Sequence, residues 1–482
     1  MKKFLLPVLL SLFMMHANAT SQKNYTIKLK VPQLKGMDCY LSYHFGDKKY
    51  IKDTAKFDNN GVVVFKNKGK NDSIKGGIYL AVFPGMGNRY IEFLVNESDA
   101  LIEMETDTTD LGAKMKVLVS EDNKVFNEDI FFLAGKRQTM ESLGAKLKDP
   151  NSSAKEKATA KEGLKKLEEE IKSHRLNIIQ TKPNLHYSKL LSLMRDIDVP
   201  EAPRNPDGSM IDSNFQYNYY KAHYWDYTDF NDDRILRTPI FEPKFKTYFD
   251  KIVIKHPDTL IQECDNLLKK IKNKNSDMWN YCLVTLLNDY ANSNIMGMDA
   301  VYVHLVENYY AKGMAPWVDS AQLGKIIERG YALKPLLLGK VATNVKGFDT
   351  SLTKPFQLYD LKNDYIVLYF WNPDCGHCKK TTPELNENYD KIKKLGAEVF
   401  GVTTANYEEI KMWKEFTNEH KLRFINIGDP YFKNTPHFRL SYDIQSTPQI
   451  YILDKYYRII AKRIGVEQIT DFLENHKKNR GK

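Results

Sequence analysis

Seven consecutive residues, Tyr365-Ile-Val-Leu-Tyr-Phe-Trp371, are all apolar or aromatic. So continuous a run, rich in β-branched and aromatic side chains, has no face to turn to water. It predicts a central strand buried on both sides. The sequence after it supplies covering layers. A helical stretch runs from 376 to about 395, with a strand at 398–402 and a helix near 407–420. Strands at 423–427, 449–453 and 458–463 and a terminal helix near 466–479 complete the segment. Strands alternating with helices predict an α/β sheet over residues 338–482.

Upstream the period is different. Tyr25-Thr-Ile-Lys-Leu-Lys-Val31 alternates polar and apolar residues, which predicts a half-buried strand. Cys39-Tyr-Leu-Ser-Tyr-His-Phe45, Gly61-Val-Val-Val-Phe65, Gly77-Ile-Tyr-Leu-Ala-Val-Phe83, Arg89-Tyr-Ile-Glu-Phe-Leu-Val95 and Ala100-Leu-Ile-Glu-Met104 continue the series. Residues 22–118 are therefore expected to form a small antiparallel β domain, sandwich-like. From 119 to 335 the period is helical. In 154–180, Leu164, Leu167, Ile171 and Ile178 make a narrow apolar stripe on a charged helix. More helices are expected near 186–197, 241–254, 258–273, 277–293, 299–311 and 319–331. The segment 200–231, with His223-Tyr-Trp-Asp-Tyr227, reads as a long ordered loop packed by its aromatics, in preference to a binding surface.

Length agrees with this multidomain organisation: 482 residues suit about three domains at roughly 150 residues each. An apolar fraction of 42% and a charged fraction of 27% exclude wholesale disorder. The net charge of +10 comes from lysines spread among acids, so no nucleic-acid partner is expected. At the N-terminus Lys2 and Lys3 precede the apolar run 4–15 and the Ala17-Asn18-Ala19 cleavage pattern. Residues 1–19 therefore read as an export signal, cut near Ala19, with an apolar run too short to span a bilayer. The mature chain is expected in the periplasm, where disulfides form, and not to span the membrane.

The one strong chemical signal is Cys375-Gly376-His377-Cys378, directly after the buried strand and at the start of a helix. A thiolate is the nucleophile in disulfide exchange. A helix N-terminus stabilises that anion with unpaired N–H groups and the positive end of its dipole. Cys375 is thus expected to be the exposed attacking thiol. Cys378, one turn in, is expected to resolve the mixed disulfide. A charged His377 would favour the thiolate further. A structural zinc site would need four ligands, and Cys39, Cys264 and Cys282 are singly placed, so no metal and no cofactor are expected. Cys264 and Cys282 could bridge or stand as two buried thiols, while Cys39 is left single.

These residues carry a resemblance. Tyr369-Phe-Trp-Asn-Pro-Asp-Cys-Gly-His-Cys-Lys-Lys380, Pro383 and Ser446-Thr-Pro-Gln-Ile-Tyr-Ile-Leu453 resemble the thioredoxin-fold thiol–disulfide oxidoreductases of the TlpA/ResA type. The β region resembles DUF4369-type domains and the helical middle DUF5106-type segments. The resemblance implies that Pro383 kinks the active-site helix and that Pro448 is cis and faces the cysteines. It also implies that the Thr447 backbone pairs with an extended substrate. Three positions depart from the pattern. Asp374 replaces the usual Trp and would raise the Cys375 thiol. Tyr369 stands where thioredoxin has a buried Asp, and Thr381 where some ResA-like members have a buried Glu. The usual proton acceptor for Cys378 is therefore missing.

The function expected is an exported reductase of protein disulfides, recycled by a membrane or periplasmic dithiol donor. An oxidase or isomerase running in reverse is the first alternative. A binding or redox-sensing protein, whose upstream domains recognise a partner, is the second.

Overall fold

The computed structural model describes residues 24–69, 72–431 and 437–480. The export signal read at 1–19 lies outside them. The chain divides into two compact units. One takes in the described residues up to Val253 together with Lys269–Tyr281, and the other takes in Ile254–Leu268 and Cys282 onward.

In the first unit eight strands form two four-stranded sheets. They are β1 (Thr26–Lys30), β2 (Asp38–Phe45), β3 (Lys48–Lys56), β4 (Val62–Lys66), β5 (Gly77–Phe83), β6 (Arg89–Val95), β7 (Leu101–Glu105) and β8 (Lys116–Val119). The sheet orders are β4-β1-β7-β8 and β3-β2-β5-β6. Alternate residues of each sheet, such as Ile27, Leu29, Phe65, Leu41, Tyr79 and Phe93, meet in one apolar core. The outer face of β1 carries Lys28 and Lys30, paired with Glu103 and Glu105 across the ladder. The expected antiparallel domain needs one correction: β1 and β7 run parallel. The chain spends β2, β3, β5 and β6 on the opposite sheet before returning, so β7 meets β1 by a crossover rather than a hairpin.

Helices follow: α1 (Glu121–Lys148), α2 (Ala154–Thr181), α3 (His186–Leu193), α4 (Phe215–His223) and α5 (Phe241–Thr247). Ser153 caps α2 through a capping box with Glu156. Helix α4 lies inside the segment read as a loop. The aromatics beyond it pack as a cluster, with Tyr224 and Trp225 buried and the Tyr224 and Tyr248 ring centroids 5.1 Å apart. Helices α6 (Pro257–Lys270), α7 (Asp277–Ala291), α8 (Asp299–Leu305) and α9 (Ser320–Leu333) come next. Among the described residues, no helix is long and apolar enough to cross a membrane.

The second unit is built on a seven-stranded sheet of order β10-β9-β13-β12-β11-β14-β15. Its strands are β9 (Lys346–Phe348), β10 (Pro355–Gln357), β11 (Tyr365–Trp371), β12 (Ala397–Thr403), β13 (Ile425–Gly428), β14 (Gln449–Asp454) and β15 (Ile459–Lys462). The stretch read as one helix from 376 is two, α10 (Gly376–Glu387) and α11 (Tyr389–Lys394). They are followed by α12 (Ile410–Glu419), α13 (Phe438–Ser441) and α14 (Ile469–Arg480). Every residue of β11 is buried. Its alternate side chains enter two separate cores, one with Val367, Tyr369 and Trp371, the other with Ile366, Leu368 and Phe370. β11 pairs parallel with β12 and antiparallel with β14.

Candidate active site

Two strand ends build the site. β11 delivers Trp371 to its C-terminal edge, and the chain turns there: the Cys375 N–H donates to the Asn372 carbonyl at 3.1 Å. The Asn372 side chain tightens that turn by accepting from the Asp374 N–H at 2.7 Å. Helix α10 starts at Gly376, so Cys375 is its N-cap. Its sulfur accepts from the Cys378 N–H at 3.4 Å, the role a cap side chain fills at a helix start. The pairing of Phe370 with Gln449 brings the segment before β14 alongside this turn. The Cys375 thiol donates to the Thr447 carbonyl at 3.1 Å. The Thr447–Pro448 peptide bond is cis.

The two thiols have opposite environments. Cys375 is partly exposed, on an open cleft of about 330 Å³ that Asn372, Asp374, Thr404, Glu409 and Arg439 also line. Burial raises its thiol, but hydrogen bonding from the Thr447 side chain and from the Cys378 and His377 backbone outweighs that, leaving it below its ordinary value. Cys378 is 0% exposed, packed with Tyr369, Trp371 and Leu385. Burial pushes its thiol up to about 12.

The other residues singled out from the sequence separate into those that touch the sulfurs and those that do not. Thr447 and the His377 main chain do. The His377 ring is exposed. Asp374 is exposed too, and its carboxylate lies 3.2 Å from Lys379 Nζ; despite the expected upward push, the Cys375 thiol is lowered. Gly376 has open space where a Cβ would stand, so no contact requires glycine there. Pro383 lies inside α10, one turn beyond Lys379, whose carbonyl it has no N–H to satisfy.

Beneath Cys378, Tyr369 and Thr381 are joined by hydroxyls. Tyr369 Oη lies 2.8 Å from Thr382 Oγ1 and 3.3 Å from Thr381 Oγ1. Thr381 Oγ1 donates in turn to the His377 carbonyl at 3.1 Å. Burial raises the Tyr369 hydroxyl, so this cluster holds its protons at neutral pH. Asn372, Glu409 and Arg439 were not singled out from the sequence. Glu409 caps the start of α12 and Arg439 lies in α13, and only the folded sheet brings them to the cleft that Cys375 lines. Asn372 could have been noticed, as an Asx-turn residue within the Asn-Pro-Asp before the first cysteine.

Cys39, Cys264 and Cys282 are each buried. Among the described residues, no group of three or more His, Cys, Asp or Glu side chains is placed to hold a metal ion.

The thiol asymmetry makes a measurable claim. In the reduced chain, iodoacetamide labels Cys375 first, with a rate that rises with pH as thiolate forms. The midpoint falls below the roughly 8.5 of a free thiol. A short pulse at pH 7 followed by peptide mass analysis should find Cys375 modified at least about ten times more than Cys378. Equal labelling of the two would contradict the environments described.

Parts of this chain are similar to known proteins. Residues 338–462 match the AhpC/TSA family, and residues 153–332 match DUF5106, a domain of unknown function. The thiol-disulfide oxidoreductase ResA of Bacillus cereus is 32% identical over 139 residues, 29% of this chain and 76% of that protein. ResA of Bacillus thuringiensis is 31% identical over 161 residues, 33% of this chain and 88% of that protein. Among solved structures, a domain of a possible thiol-disulfide isomerase from Cytophaga hutchinsonii is 37% identical. It covers 31% of this chain and 98% of its own, with a TM-score of 0.28.

Proposed function

We propose that this chain, which belongs through its C-terminal third to the ResA-type family of thiol–disulfide oxidoreductases, is an exported reductase of protein disulfides. The observation that carries the direction of attack is the difference between the two thiols. One is partly exposed and lowered, and the other is buried and raised to about 12.

Cys375, as the thiolate, attacks one sulfur of a substrate disulfide. The S–S bond breaks, a mixed disulfide forms, and one substrate thiolate leaves. Cys378 then loses its proton and attacks Cys375 Sγ. A Cys375–Cys378 disulfide forms and the second substrate thiolate leaves. Two electrons have passed to the substrate, and a dithiol donor outside the chain must return them. Thr447, joined to Pro448 by a cis bond, borders the reacting sulfur, where an extended substrate segment would lie along the chain before β14. Gly376, His377 and Asp374 shape the exposed side of the same turn. Residues 1–19, read as an export signal, support a periplasmic site of action, and disulfide-bearing proteins are the partners this chemistry calls for.

The test uses the whole mature chain. With a dithiol donor it should reduce insulin catalytically. The Cys375–Cys378 couple, equilibrated in redox buffer, should lie near the roughly −270 mV of thioredoxin rather than the roughly −120 mV of DsbA. A value near the oxidising end reverses the direction. Absence of turnover with any dithiol donor removes the enzyme reading and leaves a redox-sensing one.

A further inference from the structure

The turn that carries Cys375 is held by more than its own main chain. Asn372-Pro373-Asp374-Cys375 closes through the Cys375 N–H, which donates to the Asn372 carbonyl at 3.1 Å. Proline stands at the second position, where its fixed φ suits a β-turn. Asn372 Oδ1 closes the turn a second time by accepting from the Asp374 N–H at 2.7 Å. Asparagine and aspartate serve equally well for that bond. The other end of the amide requires asparagine, because Asn372 Nδ2 donates to Glu409 Oε2 at 3.1 Å.

Glu409 comes from the neighbouring connection in the sheet. β12 lies beside β11, and just beyond β12 the Thr404 N–H donates to the Trp371 carbonyl at 2.7 Å. The chain then enters α12 through Asn406 and Glu409, which lock each other. The Asn406 N–H donates to Glu409 Oε2 at 2.9 Å, and the Glu409 N–H donates to Asn406 Oδ1 at 3.2 Å. This is the reciprocal pattern of a capping box. A single carboxylate oxygen therefore takes two bonds and ties the turn after β11 to the helix start after β12.

The turn in its turn places a sulfur. Cys375 Sγ accepts from the Cys378 N–H at 3.4 Å and lies 3.1 Å from the Thr447 carbonyl. The bond from the N–H strengthens when the sulfur is an anion. It is already long, so a small displacement of the turn would lose it.

We propose that Glu409 is a positioning residue for the nucleophile: through the Asn372 amide it holds the turn that keeps Cys375 Sγ against the Cys378 N–H. The proposal rests on Cys375 as the attacking thiol. Glu409 acts through Asn372 and is not itself a catalytic residue. Its hold and its charge push the thiol in opposite directions. An anion near Cys375 disfavours the thiolate, whereas a well-placed N–H favours it. The other titratable or charged groups around this sulfur are Asp374 with its partner Lys379, His377 and Cys378 on α10, and Arg439 on α13, whose Nη2 donates to the Thr404 carbonyl. The segment 444–447 on the far side of the cleft contributes none.

The experiment is iodoacetamide labelling of the reduced full chain as a function of pH, with Cys375 and Cys378 read separately by peptide mass analysis. In Glu409→Ala and Asn372→Ala the Cys375 midpoint should rise by at least about half a pH unit. Labelling below the midpoint then slows about three-fold or more, while the plateau at high pH does not fall. Glu409→Gln keeps an acceptor oxygen for both donors, so its midpoint should stay at or below that of the parent. In the Asn372→Ala background, Glu409→Ala should raise the midpoint no further, since the amide it acts through is gone. An unchanged midpoint in Glu409→Ala refutes the proposal. A midpoint lowered alike in Glu409→Ala and Glu409→Gln refutes it too, because Glu409 would then act by charge alone. So does a midpoint raised alike in both, since position is kept in Glu409→Gln. A further rise in the double variant would mean a route other than Asn372. Labelling of Cys378 in Glu409→Ala would also overturn the proposal, because the carboxylate would then be holding the core and not the turn. Alkylation needs no disulfide substrate, and insulin reduction is scored separately, so loss of the reductase reading and loss of the positioning role are different results.

Discussion

Cys375→Ser should lower disulfide reduction at least about a thousand-fold, the scale on which loss of a covalent nucleophile is felt. A serine hydroxyl at the α10 N-cap can still accept from the Cys378 N–H, so the turn and the helix start survive the change. It cannot present a thiolate. The hydrogen bonds that hold the Cys375 thiol below its ordinary value would have no anion to stabilise at neutral pH. Cys378→Ser behaves differently. Its nucleophile is intact, so the first attack proceeds, but nothing closes on the mixed disulfide. The chain should then accumulate as an equimolar covalent adduct with a disulfide-bearing substrate, cleared by added dithiol. Insulin turbidity measures the first variant, and a non-reducing gel with intact-mass analysis measures the second. If Cys378→Ser turned over normally, the two thiols would have to exchange the roles that burial gives them. A Cys378→Ser adduct attached at Cys375 would also identify natural substrates in a periplasmic extract.

How far the sequence carries the reader depends on what each residue is asked to contact. β11 is legible because burial on both faces removes every polar residue from seven positions in a row. The Cys-Gly-His-Cys segment is legible because helix capping and thiol chemistry are local. Helix α1 is not legible from periodicity, and the reason is physical. Of its four buried residues, Asp122, Asn123, Val125 and Asp129, three are polar. Asn123 satisfies the β6 backbone, accepting from the Leu94 N–H and donating to its carbonyl, both at 2.7 Å. Asp129 takes Tyr187 Oη at 2.5 Å and Arg175 Nη2 at 3.1 Å. A helix whose inner face is polar shows no apolar stripe. Its start was still written in the sequence, as Ser120 ahead of Glu121 and Asp122. Strand β3 was missed for the opposite reason: most of it is exposed, so nothing forces alternation on it. The contact of Asn372 with Glu409 lies beyond any local pattern, because it depends on β11 and β12 being neighbours in the sheet.

Lys462→Met should destabilise the chain by about 3–5 kcal/mol, the cost of breaking a buried ion pair from one side. Lys462 lies on β15, an edge of the seven-stranded sheet. Its side chain is 5% exposed, and that of its partner Asp299, from α8, is 2% exposed. The ammonium reaches both the Asp299 carboxylate and the Leu336 carbonyl. Burial lowers the Lys462 ammonium, and Asp299 is the charge that offsets this. Without it Asp299 would be left as a buried anion, and its Oδ1 already lacks a hydrogen-bond partner. The backbone closes the same edge: the Gly339 N–H donates to the Ile459 carbonyl and the Ile459 N–H to the Lys340 carbonyl, each at 2.8 Å. An edge strand is thus covered by the segment just before the α/β sheet, which blocks pairing with another chain. A fragment starting at 338 would keep Lys462 but lose Asp299 and Leu336, so functional assays belong on the full chain. The pair's net worth is a separate quantity from the cost of breaking it. Replacing both members, as Lys462→Met with Asp299→Leu, should recover most of the loss, because two apolar side chains in that site leave no charge without a partner. Denaturant midpoints of the parent, both single variants and the double variant give the coupling between the two positions. A Lys462→Met midpoint equal to that of the parent would mean that the pair is hydrated in solution and contributes no more than a surface bridge.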